Sequence, residues 1–424
     1  MNVVFLSQYF MPEPGATSEL LSGIASKLVE NNFRVGALAG QPSYFSAEKI
    51  ETVFERDGVE VRRVWSTQFN KNMTLGRVLN SATFAASILV ALLLHDRKAL
   101  AVAVTTPPLL PWVCYAAHKL VGLRYVLLIH DVYPDIAVSL GALKEKGCVA
   151  RFWHKLNRFG YDAAEQIVVL GRDMQEVIAR EVDNRAHERI RIIPNWADGG
   201  KIAPIPRDEH PGLDELDARS RFVVLYSGNI GRFHEIETIL DAAAQLDDRA
   251  EFLFLFYGDG QQAELVRRAA DSSKNGTVRL MPFQPRERLG WTLTGCDLGF
   301  VTLREGLSGL ATPSKLYGVL AAGKPVVVIG PEDCEAARLV RDEKCGVVVR
   351  PGDAIGLAQT LRRLRDDPDA CLAFGSQARR VFESEYDLSA VTARWADLLR
   401  ELNASNVDSF VDVGKNTPKK SPRW

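Results

Sequence analysis

The 424-residue chain is short of several things, and each shortage closes off a class of function. Its six cysteines (114, 148, 296, 334, 345 and 371) are scattered and form no C-x-x-C pair. That pattern suits buried thiols in a reducing compartment and speaks against a zinc site or a disulfide framework. No His, Cys, Asp and Glu cluster has metal-ligand spacing, so no metal is expected. No G-x-S-x-G elbow occurs, and no Ser-His-Asp arrangement is signposted. Charge of one sign is not in excess: 52 Lys and Arg stand against 53 Asp and Glu, a formal net charge of −1. Without a large basic field, nucleic acid is not an expected partner. The chain begins with the strand-like run Val3-Val4-Phe5-Leu6, and no signal peptide is visible. Long uncharged runs are scarce too. The one that needs a membrane test, Val78 to Leu94, is at the bottom of the spanning range in length. Asn80, Ser81, Thr83 and Ser87 dilute it, so it reads as a buried or membrane-surface helix rather than a span. Arg77, Arg97 and Lys98 beside it suit an anionic membrane face.

What is present is an ordinary soluble composition, 46% apolar and 25% charged, long enough for two or three domains. Apolar strand-like runs alternate with helical periods, which implies right-handed crossovers and parallel sheets. In the first half the expected strands lie near 3–6, 33–39, 59–64, 101–104, 125–129, 167–170 and 190–193. Residues 198–221 carry several prolines and charges and no apolar period, and they read as a linker. Beyond it the rhythm restarts, with strands expected at 222–226, 252–257, 278–281, 298–301, 325–329 and 346–349. Helices are expected at 355–364 and 388–402, and a disordered tail at 405–424. The expected architecture is α/β: two doubly wound parallel-sheet, Rossmann-like domains facing across a cleft. The first spans 1–200 with the helix 388–402, and the second spans 201–387. Such sheets bind ligands at the carboxyl ends of their strands.

The stretch Ser308 to Gly330 organises the rest. Thr312-Pro313-Ser314 reads as a helix start with a hydroxyl cap and a proline at the first helical position. Lys315 in the first turn makes this a candidate anion site, with an ordinary loop–helix–strand unit as the alternative. Gly15 and Ala16 form a small-residue turn before a helix, where backbone N–H groups can approach an anion, although a plain βα turn has the same composition. Gly228, Asn229, Gly231 and Arg232 follow a strand end, where backbone donors and a planar guanidinium suit a diphosphate. His234 is placed to donate to the same group or to serve as a cap. His130 and Asp131 end another strand and suit polar handling of a hydroxyl group, or else tether the loop. Asp259 sits in a strand-end turn, Phe283 offers a ring edge to a flat base, and Glu305 offers a carboxylate to a hydroxyl pair.

Taken in order, QYFMPEPGATSELL, HDVYPD, RIIPNWAD, LYSGNIGRFHEIETIL, FYGDG and TPSKLYGVLAAGKPVVVIG resemble blocks of the retaining glycosyltransferases of family 4, which have the glycosyltransferase-B fold. The nearer likeness is to the bacterial subgroup of colanic-acid and fucosaminyl transferases, and it covers residues 1 to about 400. The resemblance implies a nucleotide-sugar donor on the C-terminal domain and an acceptor on the N-terminal one. The acceptor would be a saccharide, free or linked to polyprenyl diphosphate, and the enzyme would work in the cytoplasm or peripherally on the inner membrane face. It implies no metal and no cofactor beyond the nucleoside-diphosphate sugar itself. Arg232 and Lys315 match the positions that neutralise the diphosphate, and Gly15 matches the loop that closes over it. His130 and Asp131 fall near the transferred sugar and acceptor hydroxyl. One position departs from the family: the second of two spaced glutamates is here Gly318, which leaves Glu305 or backbone groups to hold the ribose. The rival expectations are a sugar-nucleotide epimerase or phosphorylase of similar fold, and a non-catalytic sugar-nucleotide-binding partner.

Overall fold

The computed structural model describes residues 2–13, 15–41, 51–69, 74–94, 99–247 and 250–415. The first sheet has eight strands: β1 (Asn2–Ser7), β2 (Arg34–Ala39), β3 (Val53–Arg56), β4 (Val59–Arg63), β5 (Leu100–Val104), β6 (Arg124–Leu128), β7 (Gln166–Val169) and β8 (Ile190–Ile192). Their spatial order is β3-β4-β2-β1-β5-β6-β7-β8. The second sheet holds β9 (Phe222–Ser227), β10 (Phe252–Tyr257), β11 (Val278–Met281), β12 (Leu298–Thr302), β13 (Val326–Ile329) and β14 (Gly346–Val349), in the order β11-β10-β9-β12-β13-β14. All its pairings are parallel. This is the doubly wound order, and it explains the continuous apolar runs. Every residue of Phe252–Tyr257 and of Val326–Ile329 is buried, because helices cover both faces of the sheet.

By contacts the chain divides into two compact units. One comprises residues 1–128, 163–167 and 391–424, the other residues 129–162 and 168–390. Residues 129–162 and 168–200, expected with the N-terminal half, thus group with the C-terminal half. The reason is visible in the backbone. Asp131 pairs with Ala311 in an antiparallel bridge, and the Val132 N–H donates to the Leu310 carbonyl at 2.9 Å. The closing helix, Leu388–Lys415, passes into the first unit, where the Arg124 guanidinium donates to the Leu402 carbonyl at 2.7 Å. It runs past the expected end at 402 because no glycine or proline interrupts it before Gly414. Of the expected tail, 416–424 lie outside the described residues.

Three elements differ from the sequence reading. β3 was not expected, though Asp57 and Gly58, both at positive φ, form the two-residue turn that pairs it with β4. Residues 198–221 are packed rather than a loose linker. The Arg207 guanidinium donates to both Asp297 oxygens at 2.7 Å, and His210, Leu213, Ala218 and Arg221 are buried. A helix at Pro368–Val381 is also new to the reading. The Asp367 carboxylate caps it, accepting from the Ala370 N–H at 2.9 Å.

The uncharged stretch 78–94 lies in the helix Thr74–Leu93. It buries Asn80, Phe84, Ala85, Ile88 and Leu92, while Leu75, Val78 and Val90 are more than half exposed. By length and composition this helix could cross a membrane, and a third of its apolar window is buried.

Candidate functional site

The second sheet reverses its winding between β9 and β12, so the loops leaving those strands frame the crevice where such folds take ligands. The β9 loop begins at Gly228, whose φ is +126°. A Cβ there would lie 2.8 Å from Cε of Lys315, so the lysine stem passes over this glycine. Lys315 opens the helix Lys315–Ala321 beyond the β12 loop, and its Nζ reaches Nε2 of His234 on the β9 loop at 2.9 Å. Nζ also lies 5.0 Å from the centroid of the buried Tyr226 ring, within cation–π range. Tyr226 donates its hydroxyl to the Asn229 carbonyl at 2.7 Å. Lys315 makes no ion pair among the described residues. Burial without a counter-charge pushes its pKa down to about 7.

His234 is fixed from both sides. Its Nδ1 lies 3.0 Å from the Thr302 carbonyl at the end of β12. Burial, with Lys315 adding to it, pushes its pKa down to about 3, so it is neutral at pH 7. Gln262 holds the backbone of the same loop, donating to the carbonyls of Gly231 at 2.5 Å and His234 at 3.0 Å. Arg232, between them, is exposed and makes no ion pair among the described residues. The site therefore contains a held ammonium and a free guanidinium within one loop cluster.

His130 and Asp131 join the same unit through the bridge to Ala311, four residues before Lys315. Burial pushes the His130 pKa down to about 4, which leaves a neutral imidazole suited to hydrogen bonding rather than to carrying charge. Asp259 is turned back on its own loop. Its carboxylate accepts from the Gly260 N–H at 2.8 Å and its carbonyl from the Ile230 N–H at 2.9 Å, so its visible work is turn geometry. Phe283 is 57% exposed, and Glu305 is exposed. Ser314 takes the cap position in helical conformation without a side-chain cap bond. Thr312, expected as the cap, does not cap: its Oγ1 is buried with no hydrogen-bond partner among the described residues. Gly15, at φ +146°, and Ala16, which opens the helix Ala16–Glu30, belong to the first unit.

Gly318 is buried, and a Cβ there would come within 3.0 Å of the Leu293 side chain. Any larger side chain there would need the end of the Leu293 side chain to give way by a few tenths of an ångström.

The residues missed in the sequence hold the loop 308–314 in place. The buried Asp173 accepts from the backbone N–H of Gly309 at 3.0 Å and of Glu335 at 2.9 Å. Glu335 in return accepts from the Arg172 N–H at 2.8 Å. Each acid thus caps the other's helix, Arg172–Glu181 and Glu335–Asp342. Acids in first helical turns were the only sequence signal, and a separation of some 160 residues hides the pairing. A second group joins Asp135, the last residue of the HDVYPD turn, to His154 and Glu181 on the helices Cys148–Ala163 and Arg172–Glu181. His154 Nδ1 lies 2.9 Å from Glu181 and Nε2 lies 3.6 Å from Asp135. The Glu181 hydrogen bond, with both carboxylates adding charge, raises the His154 pKa.

With this geometry in place, similarity to known proteins can be weighed. Residues 15–196 match the glycosyl transferase 4-like domain, and residues 221–367 match glycosyl transferases group 1. The probable glycosyltransferase WbjE of Pseudomonas aeruginosa is 30% identical over 78% of this chain and 82% of its own length. The putative colanic acid biosynthesis glycosyl transferase WcaI of Escherichia coli is 29% identical over 74% of this chain and 78% of its own. Among solved structures, Anabaena Alr3699/HepE in complex with UDP superposes with a TM-score of 0.71 at 17% identity, covering 95% of this chain and all of that one.

Proposed function

The chain belongs to the glycosyltransferases whose 4-like and group 1 domains it matches, with the glycosyltransferase-B fold, and on that premise we propose that it moves a sugar from a nucleoside-diphosphate donor to a saccharide, free or polyprenyl-diphosphate-linked, with retained anomeric configuration. The likeness to the Pseudomonas and colanic-acid enzymes supports a role in cell-surface polysaccharide biosynthesis. The observation that carries the donor reading is the meeting of Lys315 and the Arg232–His234 loop at the winding reversal of the second sheet.

The leaving nucleoside diphosphate gains charge as the glycosidic bond breaks. Arg232 and Lys315 stabilise that charge more than they stabilise the bound donor, which is what accelerates the step. Binding also matters for Lys315 itself. Its pKa near 7 leaves it only partly charged in the free protein, and a diphosphate beside it restores the full charge. On this reading the cations take the part a metal would otherwise play. Departure of the leaving group on the face where the acceptor attacks needs no strong base, and a neutral His130 beside Asp131 is suited to orienting a sugar hydroxyl. Gly15, at its positive φ, supplies a turn whose backbone N–H groups can meet a phosphate. Glu305 and Phe283 are left to meet the nucleoside.

The acceptor side rests on the helix Thr74–Leu93. Leu75, Val78, Val90 and Leu94 are exposed on or beside it, as are Trp65 and Phe69, and Arg77 is exposed near its start. An apolar hollow of about 520 Å³ adjoins them, lined in part by Val64, Trp65, Ala86, Val90 and Leu94. This surface suits the cytoplasmic face of a membrane bearing a lipid-linked acceptor.

A thermal-shift screen with UDP, GDP, ADP and their sugars tests the donor reading. One nucleoside diphosphate should raise the melting temperature clearly above its monophosphate, and no response to any of them would refute the reading. Turnover of a sugar nucleotide without an acceptor would instead identify an epimerase, and a requirement for phosphate a phosphorylase. Flotation with anionic liposomes tests the acceptor side, where absence of co-migration at physiological salt would leave the helix as core.

A further inference from the structure

We propose that His234 is a positioning residue for Lys315: its unprotonated Nε2 accepts from Nζ and holds the ammonium over Gly228 and the Tyr226 ring, at the place of the donor diphosphate. The inference rests on Lys315 being the diphosphate cation.

The tautomer follows from the partners. Nδ1 lies 3.0 Å from the Thr302 carbonyl, which can only accept, and 3.2 Å from the Thr302 hydroxyl, which can accept as well as donate; a proton on Nδ1 is the placement that satisfies the nearer of the two. Nε2 then presents a lone pair, and Nζ lies 2.9 Å from it. An ammonium and a neutral amine both have an N–H to donate, so the contact survives the titration of Lys315. The other wall is Tyr226, whose ring faces Nζ at 5.0 Å and whose hydroxyl is tied to the Asn229 carbonyl. A lysine stem is flexible and loses its freedom when it meets a phosphate. Here that freedom is already lost, so the free protein is pre-organised for the anion.

The residue type matters. A carboxylate at this place would hold the lysine equally well but would neutralise it and compete with the phosphate. A neutral imidazole orients the charge without discharging it. The geometry joins three elements: the end of β12 fixes the ring of His234, the ring fixes Lys315, and the lysine crosses the glycine that opens the β9 loop.

Asn and Gln separate positioning from simple tethering. The amide of Asn falls near Nδ1, so His234→Asn keeps the bond to Thr302 and loses Nζ. The amide of Gln reaches the place of Nε2, so His234→Gln keeps an acceptor for Nζ. Titration calorimetry should use whichever of UDP, GDP and ADP binds the wild type tightest, together with its monophosphate. His234→Ala and His234→Asn are expected to weaken the diphosphate about 10-fold and the monophosphate less than about 2-fold, while His234→Gln stays within about 3-fold of wild type. Diphosphate affinity retained in the Asn variant and lost in the Gln variant would overturn the proposal, as would wild-type affinity in all three. Should His234→Ala fail to fold, the Asn–Gln contrast carries the test. Lys315→Ala keeps the two levels apart. If it loses diphosphate affinity and the His234 variants do not, only the positioning role falls. If Lys315→Ala binds as wild type, the donor reading itself falls.

Discussion

The loops after β1 and β9 occupy equivalent places, each following the strand at which its sheet reverses its winding, yet they use their cations in opposite ways. In the first sheet the buried Arg63 of β4 gives its guanidinium to backbone, donating to the carbonyls of Gly40 at 2.5 Å, Phe10 at 3.1 Å and Met11 at 2.8 Å. Burial lowers its pKa, and its hydrogen-bonding capacity goes into holding the turn. The glycine of that loop, Gly15, has none of the described residues within 4 Å of an added Cβ. In the second sheet the glycine is packed and the cation is not consumed. Gly228 lies under the Lys315 stem, and among the described residues the ammonium meets a neutral ring nitrogen and a π face. One topology thus yields a structural arginine beside an empty turn and a reserved lysine above a filled one. On the proposed reading, donor chemistry belongs to the second.

The sharpest way to break the contrast is to fill Gly228. Gly228→Val places branched carbon where Cε of Lys315 now lies and demands a positive φ that a β-branched residue resists. Transfer activity should fall more than about 100-fold, since misplacing a charged group by about an ångström costs that much, and diphosphate binding should be lost with it. Near-normal turnover would show that the lysine does not depend on this crossing. Lys315→Ala comes next. Loss of one charge-assisted contact, roughly 1.5–3 kcal/mol, should cost about 10–100-fold in kcat/KM with the circular dichroism spectrum unchanged. An unaffected rate would make Lys315 a packing residue.

These two sites show what a sequence can and cannot disclose. The strands around them were legible because a sheet covered on both faces needs unbroken apolar runs, as in Phe252–Tyr257 and Val326–Ile329. Gly228, Arg232 and Lys315 were legible as glycine and cations at strand and helix ends. The partnership of His234 with Lys315 was not, because 81 residues separate them and only the parallel placement of β9 beside β12 brings them together. The reciprocal caps of Asp173 and Glu335 were hidden for the same reason. The β3 hairpin and the helix Pro368–Val381 are a different case: the Asp57-Gly58 turn and the Asp367-Pro368 start were in plain sight, but weak apolar patterns beside them masked the signal.

A smaller effect is expected at the open glycine. Gly15 lies at φ 146°, ψ 152°, a region essentially reserved for glycine. Gly15→Ala meets no steric obstacle among the described residues, so its expected cost is backbone strain of about 1–3 kcal/mol. Calorimetry should show the melting temperature of the first unit lowered by a few degrees. An unchanged value would mean that the loop relaxes freely and that its glycine is not needed for conformation. The asymmetry with Gly228→Val, where the neighbour and not the backbone carries most of the damage, is itself the measurement.

The mildest test uses pH and leaves every atom of the lysine in place. His234 has its pKa lowered from 6.5 to about 3 in the folded protein by burial, with Lys315 adding to the shift. Between those values the unfolded chain takes up a proton that the folded chain refuses, so acid favours unfolding and stability falls as the pH drops below 6.5. For this group alone the loss amounts to about 1.4 kcal/mol at pH 5.5. His130 and His210, also lowered by burial, act in the same direction. Subtracting the profile of His234→Gln from that of the wild type removes them, because both proteins retain those two histidines. The pH-dependent part of the difference should grow steadily from pH 6.5 downward and level off above it. A flat difference would mean that the folded protein takes up this proton at the same pH as the unfolded chain, so that the ring is not held neutral by its surroundings as the positioning role requires.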